Sequence, residues 1–168
     1  MADLTLKNRH PISEDDVEDA NDRVEAHLGV RPLPGDGDAL VEKARAGHYQ
    51  LLLHEGNVLV VLEGPDVDEA TPTLRALLEH RPEQGQVTVD MGAVPHLRNG
   101  ADVMSPGITD ADDTIAEGDL VWVTDIEHGQ PLGIGHALVA GPEMVEADSG
   151  KAIAIWHHVG DEIWEIGE

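Results

Sequence analysis

The sequence predicts an α+β protein in two parts, a mixed α/β domain over residues 1–84 and a strand-dominated domain over residues 85–168. Three observations carry this reading. Helix and hairpin patterns alternate in the first half. A stretch poor in periodic apolar residues, RPEQGQ, then acts as a linker. Beyond it, almost every apolar run has strand length, and one short helix among five or six strands is the pattern of a small, partly closed β-barrel.

Taken in order, ISEDDVEDANDRVEAHLG reads as a helix. Ser13 is its N-cap, Glu14, Asp15 and Asp16 suit the positive end of the dipole, Val17, Ala20, Val24 and Leu28 share one face, and Gly29 closes it. VRPLPGDGD reads as a loop. ALVEKARAG has helix propensity, yet it is short and leads directly into YQLLLHEGNVLVVLEG, a hairpin turning at Gly56. TPTLRALLEH predicts a helix with Thr71 as cap and Pro72 in its first position. In the second part QVTVDM is a strand and AVPHLRNG a short helix. GDLVWVTDI and PLGIGHALVA form a second hairpin across EHGQ. PEMVEA makes one or two helical turns, and KAIAIWHHV and EIWEI pair as a third hairpin through GD.

Composition narrows the classes. The chain has 168 residues, 34 acids and 10 bases, a formal net charge of -24, and no cysteine. Disulfides and thiolate chemistry are excluded. With no Phe, one Tyr and three Trp, the core must be built from Val, Leu, Ile and Ala. Carboxylates spread along the whole chain, few lysines and small apolar side chains read as adaptation to a high-salt cytoplasm, where self-repulsion is screened; an acidic protein that binds a basic partner has the same composition. MADLTLKNRH has no apolar signal region, and the longest strongly apolar run, VLVVL, is far too short to span a bilayer. The expectation is a cytoplasmic protein.

The acidity breaks in one place. GAVPHLRNGADVMSPGI, residues 92–108, carries only Arg98 and Asp102, whereas the twenty residues after it hold seven acids and no Lys or Arg. From Gln86 onward, Arg98 and Lys151 are the two bases against 16 acids. Gly92, Gly100 and Gly107 permit close backbone approach. A short helix start offers N–H groups, and a lone arginine in an acid-poor stretch suits a phosphate. A glycine-rich turn and helix inside a barrel, with no ligand, would produce the same residues.

VDMGAVPHLRNGADVMSPGI resembles the signature of the PUA domain, through its strand-Gly-helix start, its GADVM and its PGI. The tail GKAIAIWHHVGDEIW resembles the final hairpin of one subgroup. Upstream, EGPDVDEATPTLRALLEHRP and LKNRHPISEDDVEDANDRVEAHLG resemble the domain that precedes PUA in that subgroup, the malignant T-cell-amplified sequence and ligatin family with its single-chain archaeal relatives. The resemblance implies an N-terminal α/β domain, a C-terminal PUA-type β pseudobarrel, and a strand rather than a helix at ALVEKARAG. It implies RNA binding through the short helix and the following loop, at Gly92, Ala93, His96, Arg98, Asn99, Gly100, Ala101, Met104 and Gly107. It also implies a partner that is tRNA or rRNA, or the small ribosomal subunit, during initiation or recycling. This sequence departs from the family's pattern in its few basic residues: the helix usually rich in lysine here reads SEDDVED.

Other motifs carry little. His157 and His158 are adjacent in a strand and point to opposite faces, so they do not suit one metal ion, and no HExxH-like spacing occurs. Stacking of one of them on a base is the alternative expectation. GIGHA lacks the third glycine of a dinucleotide fingerprint and joins strands rather than opening a helix. None of the three serines lies in a GxSxG turn. Trp122, Trp156 and Trp164 read as core anchors within strands. The expectation is an RNA-binding protein of the translation apparatus with no enzymatic activity, no cofactor, no metal, and neither membrane nor DNA as partner. An accessory RNA-binding subunit for RNA modification, or an acidic adaptor on ribosomes, are the alternatives.

Overall fold

A computed structural model describes residues 5–36, 39–63 and 69–166. The chain divides into two compact units, Met1–Arg81 with Glu162–Glu168, and Pro82–Asp161.

The first unit is a five-stranded antiparallel sheet in the order β1-β2-β3-β4-β5, with β1 at Lys7–Pro11, β2 at Val41–Ala46, β3 at Tyr49–His54, β4 at Asn57–Glu63 and β5 at Glu69–Pro72. Its helices include α1 (Glu14–Leu28) and α2 (Leu74–Glu79). α1 begins where its cap dictates. Ser13 is extended and its hydroxyl accepts the Asp16 N–H at 3.2 Å, and Gly29 ends the helix with φ 78. Val17, Ala20, Val24 and Leu28 are buried as their spacing requires. Asn21 is buried on the same helix, and its amide exchanges two 2.9 Å hydrogen bonds with the backbone of Leu33. The loop reading at 30–38 ends on Gly37 and Asp38, which lie outside the described residues.

β2 is the strand that the family resemblance implies, against its helix propensity. It is paired on both sides, by β1 and β3, and buries Val41, Ala44 and Ala46, so tertiary pairing overrides an intrinsic preference worth only tenths of a kcal/mol per residue. β3 and β4 turn through Glu55 (φ 52) and Gly56 (φ 81), the two positive values that a two-residue hairpin turn demands. The start of α2 differs from expectation. Thr71 and Pro72 lie in β5, opposite Val61 and Val60, and the cap is Thr73. The Thr73 hydroxyl donates to the Val58 carbonyl at 2.7 Å and accepts the Ala76 N–H at 3.2 Å, which fixes the helix start two residues later.

The second unit contains β6 (Gln86–Val89), α3 (Val94–Arg98), β7 (Val103–Met104), a single 3-10 turn at Ser105–Gly107, β8 (Ile108–Ala111), β9 (Leu120–Asp125), β10 (Pro131–Ala137), α4 (Gly141–Glu146) and β11 (Lys151–His158). Its six strands form one sheet in the order β7-β11-β10-β9-β6-β8, antiparallel except for the parallel pair β6–β9. This is a mixed α/β chain with a near-barrel sheet in its second half. Val87, Val89, Val121, Val123, Met144 and Ile153 fill the interior with aliphatic side chains. Trp122 is buried among the strands, and its indole N–H reaches the Gln84 carbonyl at 3.0 Å.

The GIGHA glycines have packing reasons. A Cβ on Gly135 would sit 2.2 Å from the Ala154 carbonyl oxygen, at a bulge where β10 and β11 press together.

The third hairpin does not form. β11 ends at His158, and Glu162–Glu165 is a short helix, α5, grouped with the first unit. The Asp161 carboxylate accepts the His158 N–H at 2.8 Å and contacts His157 Nδ1 at 2.8 Å, and Gly160 turns at φ 86. Trp164 is therefore helical, not in a strand. Arg75 donates to its carbonyl at 2.9 and 3.2 Å, and the guanidinium lies 4.4 Å from the indole centroid. Among the described residues no helix is long and apolar enough to cross a membrane.

Candidate nucleic-acid interface

The acid-poor segment folds around a cleft of about 850 Å³. Its two ends are tied together, because the Asp90 N–H donates to the Gly107 carbonyl at 2.9 Å. Asp90 then makes the turn into α3: its carboxylate and its carbonyl both accept the Ala93 N–H, at 3.0 and 3.2 Å. Gly92 lies inside that turn, where a Cβ would come within 3.3 Å of Asp90 Oδ1. Leu97 is buried and roots α3 on β10. A Cβ on Gly133 would lie 3.1 Å from Leu97 Cδ2, so this glycine makes room for the helix.

Gly100, with φ 84, reverses the chain out of α3, and its N–H bonds the Leu97 carbonyl at 3.0 Å. The side of Gly100 is closed by His158, whose Nε2 would be 2.9 Å from an added Cβ. β7 then pairs with β11, Val103 opposite Ile153 and Met104 opposite Lys151. The 3-10 turn returns the chain to Gly107, whose Cβ would touch Ala93 at 3.2 Å.

Of the nine residues that the sequence singled out, Gly92, Ala93, His96, Gly100, Ala101, Met104 and Gly107 line the cleft. Arg98 and Asn99 do not. Both are exposed at the end of α3, and the Asn99 N–H is shared by the Pro95 and His96 carbonyls at 3.3 and 3.1 Å. Arg98 makes no ion pair among the described residues. Two N–H groups at the start of α3 are engaged within the turn, since Ala93 bonds Asp90 and Val94 bonds the Met91 carbonyl at 3.3 Å, and Pro95 has none, so these three positions offer no free donor to an anion.

Sequence reasoning passed over Asp90, Leu97, Asp102, Val103, Pro106 and Lys151, which complete the lining. Lys151 had a signal, as one of two cations in the second half, but only the β7–β11 ladder brings it here. Asp102 is committed on both oxygens, to the Ile155 N–H at 2.9 Å and to Lys151 Nζ at 3.3 Å. With Asp90 and Asp102 both engaged by protein donors, the surface that the cleft leaves for a ligand is aliphatic side chain, glycine backbone, one imidazole and, at its border, the Lys151 ammonium held by Asp102. That surface suits the flat face of a ring better than a phosphate.

His157 is fully buried against Asp161, and neither it nor His158 lines the cleft. Among the described residues no group of His, Asp and Glu side chains could hold a metal ion.

The PUA domain model matches residues 85–159. The chain is 39% identical over 165 residues to an uncharacterised protein of Methanocaldococcus jannaschii, covering 97% of this chain and 99% of that one. It is 28% identical over 123 residues to the translation machinery-associated protein 20 of Saccharomyces cerevisiae, covering 70% and 66%. To the malignant T-cell-amplified sequence 1 homolog of Drosophila melanogaster it is 27% identical, covering 88% and 81%. A hypothetical protein of the archaeon Pyrococcus horikoshii superimposes with a TM-score of 0.80 at 34% identity, over 95% of this chain and 99% of that one.

Proposed function

Since the chain belongs to the family of PUA-domain proteins that takes in malignant T-cell-amplified sequence 1 and translation machinery-associated protein 20, we propose that it is an RNA-binding protein of the translation apparatus. Its ligand is tRNA or the small ribosomal subunit, and the protein acts without catalysis. One observation supports this most: the acid-poor segment of a chain with net charge -24 wraps a cleft rather than lying flat. A carboxylate-rich surface repels phosphate, so a polyanion can approach only where the carboxylates are absent or engaged.

In this reading an unstacked nucleotide enters between Ala93, His96 and Met104. Backbone and 2′-hydroxyl contacts around Gly100 and Gly107 provide the short-range part of the affinity, and Arg98, unpaired just outside the cleft, meets the adjoining phosphate. Short-range contacts are needed because counterion release contributes little in concentrated salt. The test is binding of total tRNA, intact and trimmed at its 3′ end, in about 2 M KCl, where screening is nearly complete beyond ~3 Å. Native chain and Arg98→Glu are compared. Binding that needs the 3′ end and weakens in Arg98→Glu supports the reading; binding indifferent to both contradicts it.

A further inference from the structure

The first unit carries a cationic cluster that the cleft does not use. β1 and β2 together hold Lys7, Arg9, Lys43 and Arg45, four of the chain's ten Lys and Arg, with Glu42 as the one acid between them. These eleven residues are net positive in a chain of net charge -24.

The pairing register puts most of that charge on one face. Lys7 lies opposite Arg45 and His10 opposite Lys43, and directly opposed residues point to the same side of a sheet. Lys43 and Arg45 are two apart, and so share a face by pleat. Lys7 and His10 are three apart and would not, except that a bulge intervenes, with Asn8 at φ 56. The His10 imidazole donates to the Asn8 carbonyl across that bulge at 2.7 Å.

Arg9 stands apart from this group, because Glu42 holds it through contacts of 2.8 and 3.0 Å. Lys7, Lys43 and Arg45 have no such partner among the described residues, although the chain contains 34 acids. Arg23, Arg31 and Lys151 are each ion-paired. Like charges placed opposite one another across a ladder are destabilising. A lysine on an edge strand can serve to block strand-to-strand aggregation, which would account for Lys7. It does not account for Lys43 and Arg45, because β2 is hydrogen-bonded on both sides.

We propose that the Lys7–Arg45 and His10–Lys43 ladder of β1 and β2 is a second RNA contact, which binds the phosphate backbone without reading sequence. Its choice of RNA over an acidic protein rests on the RNA-binding reading of the second unit. The two contacts are chemically different: the cleft takes a ring, and the ladder takes phosphates through ammonium and guanidinium groups, those of Lys43 and Arg45 borne by backbone positions about 7 Å apart along β2.

The experiment measures affinity for total tRNA and for a ~16-nucleotide single-stranded RNA across about 0.3–2 M KCl. Native chain, Lys7→Gln/Lys43→Gln/Arg45→Gln and Met104→Glu are compared. The triple variant is expected to keep the native thermal midpoint. It should bind about tenfold more weakly at the low-salt end, with a slope of log K against log salt shallower by about two. Native affinity and slope in the triple variant would overturn the proposal. So would loss of binding to a poly-glutamate peptide with RNA binding intact. Met104→Glu separates the two readings: if it binds as the native chain does while the triple variant does not, the ladder stands and the cleft reading falls.

Discussion

Lys151 stands directly across the β7–β11 ladder from Met104, and both border the cleft. The ammonium is held by Asp102 at 3.3 Å, and Asp102 also takes the Ile155 N–H at 2.9 Å. These two partners of one carboxylate differ in worth. Lys151 is exposed, so Lys151→Gln should change stability by less than about 0.5 kcal/mol. Asp102→Ala orphans a backbone N–H in a part-buried strand and should cost about 1–2 kcal/mol. Denaturant titration of the two variants should give that order, and equal losses would mean that the ion pair matters more than its geometry suggests.

Gly135 should tolerate no side chain. Gly135→Ala would drive a Cβ to 2.2 Å from the Ala154 carbonyl, backbone against backbone at the β10–β11 bulge, and neither strand can yield without breaking the sheet. A loss above about 3 kcal/mol is expected. At Gly100 the clash at 2.9 Å is with the side chain of His158, which can rotate, so Gly100→Ala should cost mainly its positive φ, about 1–2 kcal/mol. Thermal melts of both variants test the ranking.

Asp112 ties the start of β6 to the loop after β8. Burial works against its charge, but hydrogen bonds from the Thr114 and Gly85 N–H groups and the Thr114 hydroxyl outweigh that and hold its carboxyl below the ordinary 3.8. A depressed folded-state value stabilises the protein above 3.8, and the contribution is lost as pH falls through the lower, folded value. Asp112→Asn should therefore lower stability at neutral pH and flatten the acid limb below about 3.8. A stability–pH curve parallel to that of the native chain would contradict this assignment.

The charge distribution predicts a salt requirement. With 34 acids and few partners for them, the folded chain repels itself in dilute buffer. The thermal midpoint should climb steeply between about 0.1 and 2 M KCl as the Debye length falls from about 10 Å to under ~3 Å. A midpoint indifferent to KCl would remove the halophilic reading.

Local signals were legible in the sequence and long-range pairings were not. The cap of α1 at Ser13, its Gly29 end and the hairpin turn at Gly56 are written within a few residues, and each forms as its local sequence predicts. The start of α2 was misread because Thr71-Pro72 and Thr73 are equally plausible caps locally. The bond of Thr73 to Val58, on another strand, decides between them. β7 has two residues and no period of its own, so its pairing with β11, and with it the place of Lys151 beside Met104, could not be read. The tail EIWEI has a strand's alternation, but Asp161 turns the chain and Arg75 holds Trp164 in a helix instead. Seven of the nine residues that the resemblance singles out share the cleft because they lie on one continuous segment. Arg98 and Asn99 leave it because the turn of α3 points them elsewhere, and helical phase in a five-residue helix cannot be judged from spacing.

The most direct measurement is a backbone amide NMR titration of the whole chain with a short single-stranded RNA ending in a free 3′-hydroxyl, in concentrated KCl. Shifts are expected to concentrate at residues 90–107 and at Lys151, with His96, Gly100 and Met104 among the largest. Shifts that leave this segment untouched while RNA binds elsewhere would contradict the claim that the cleft is the RNA-reading face.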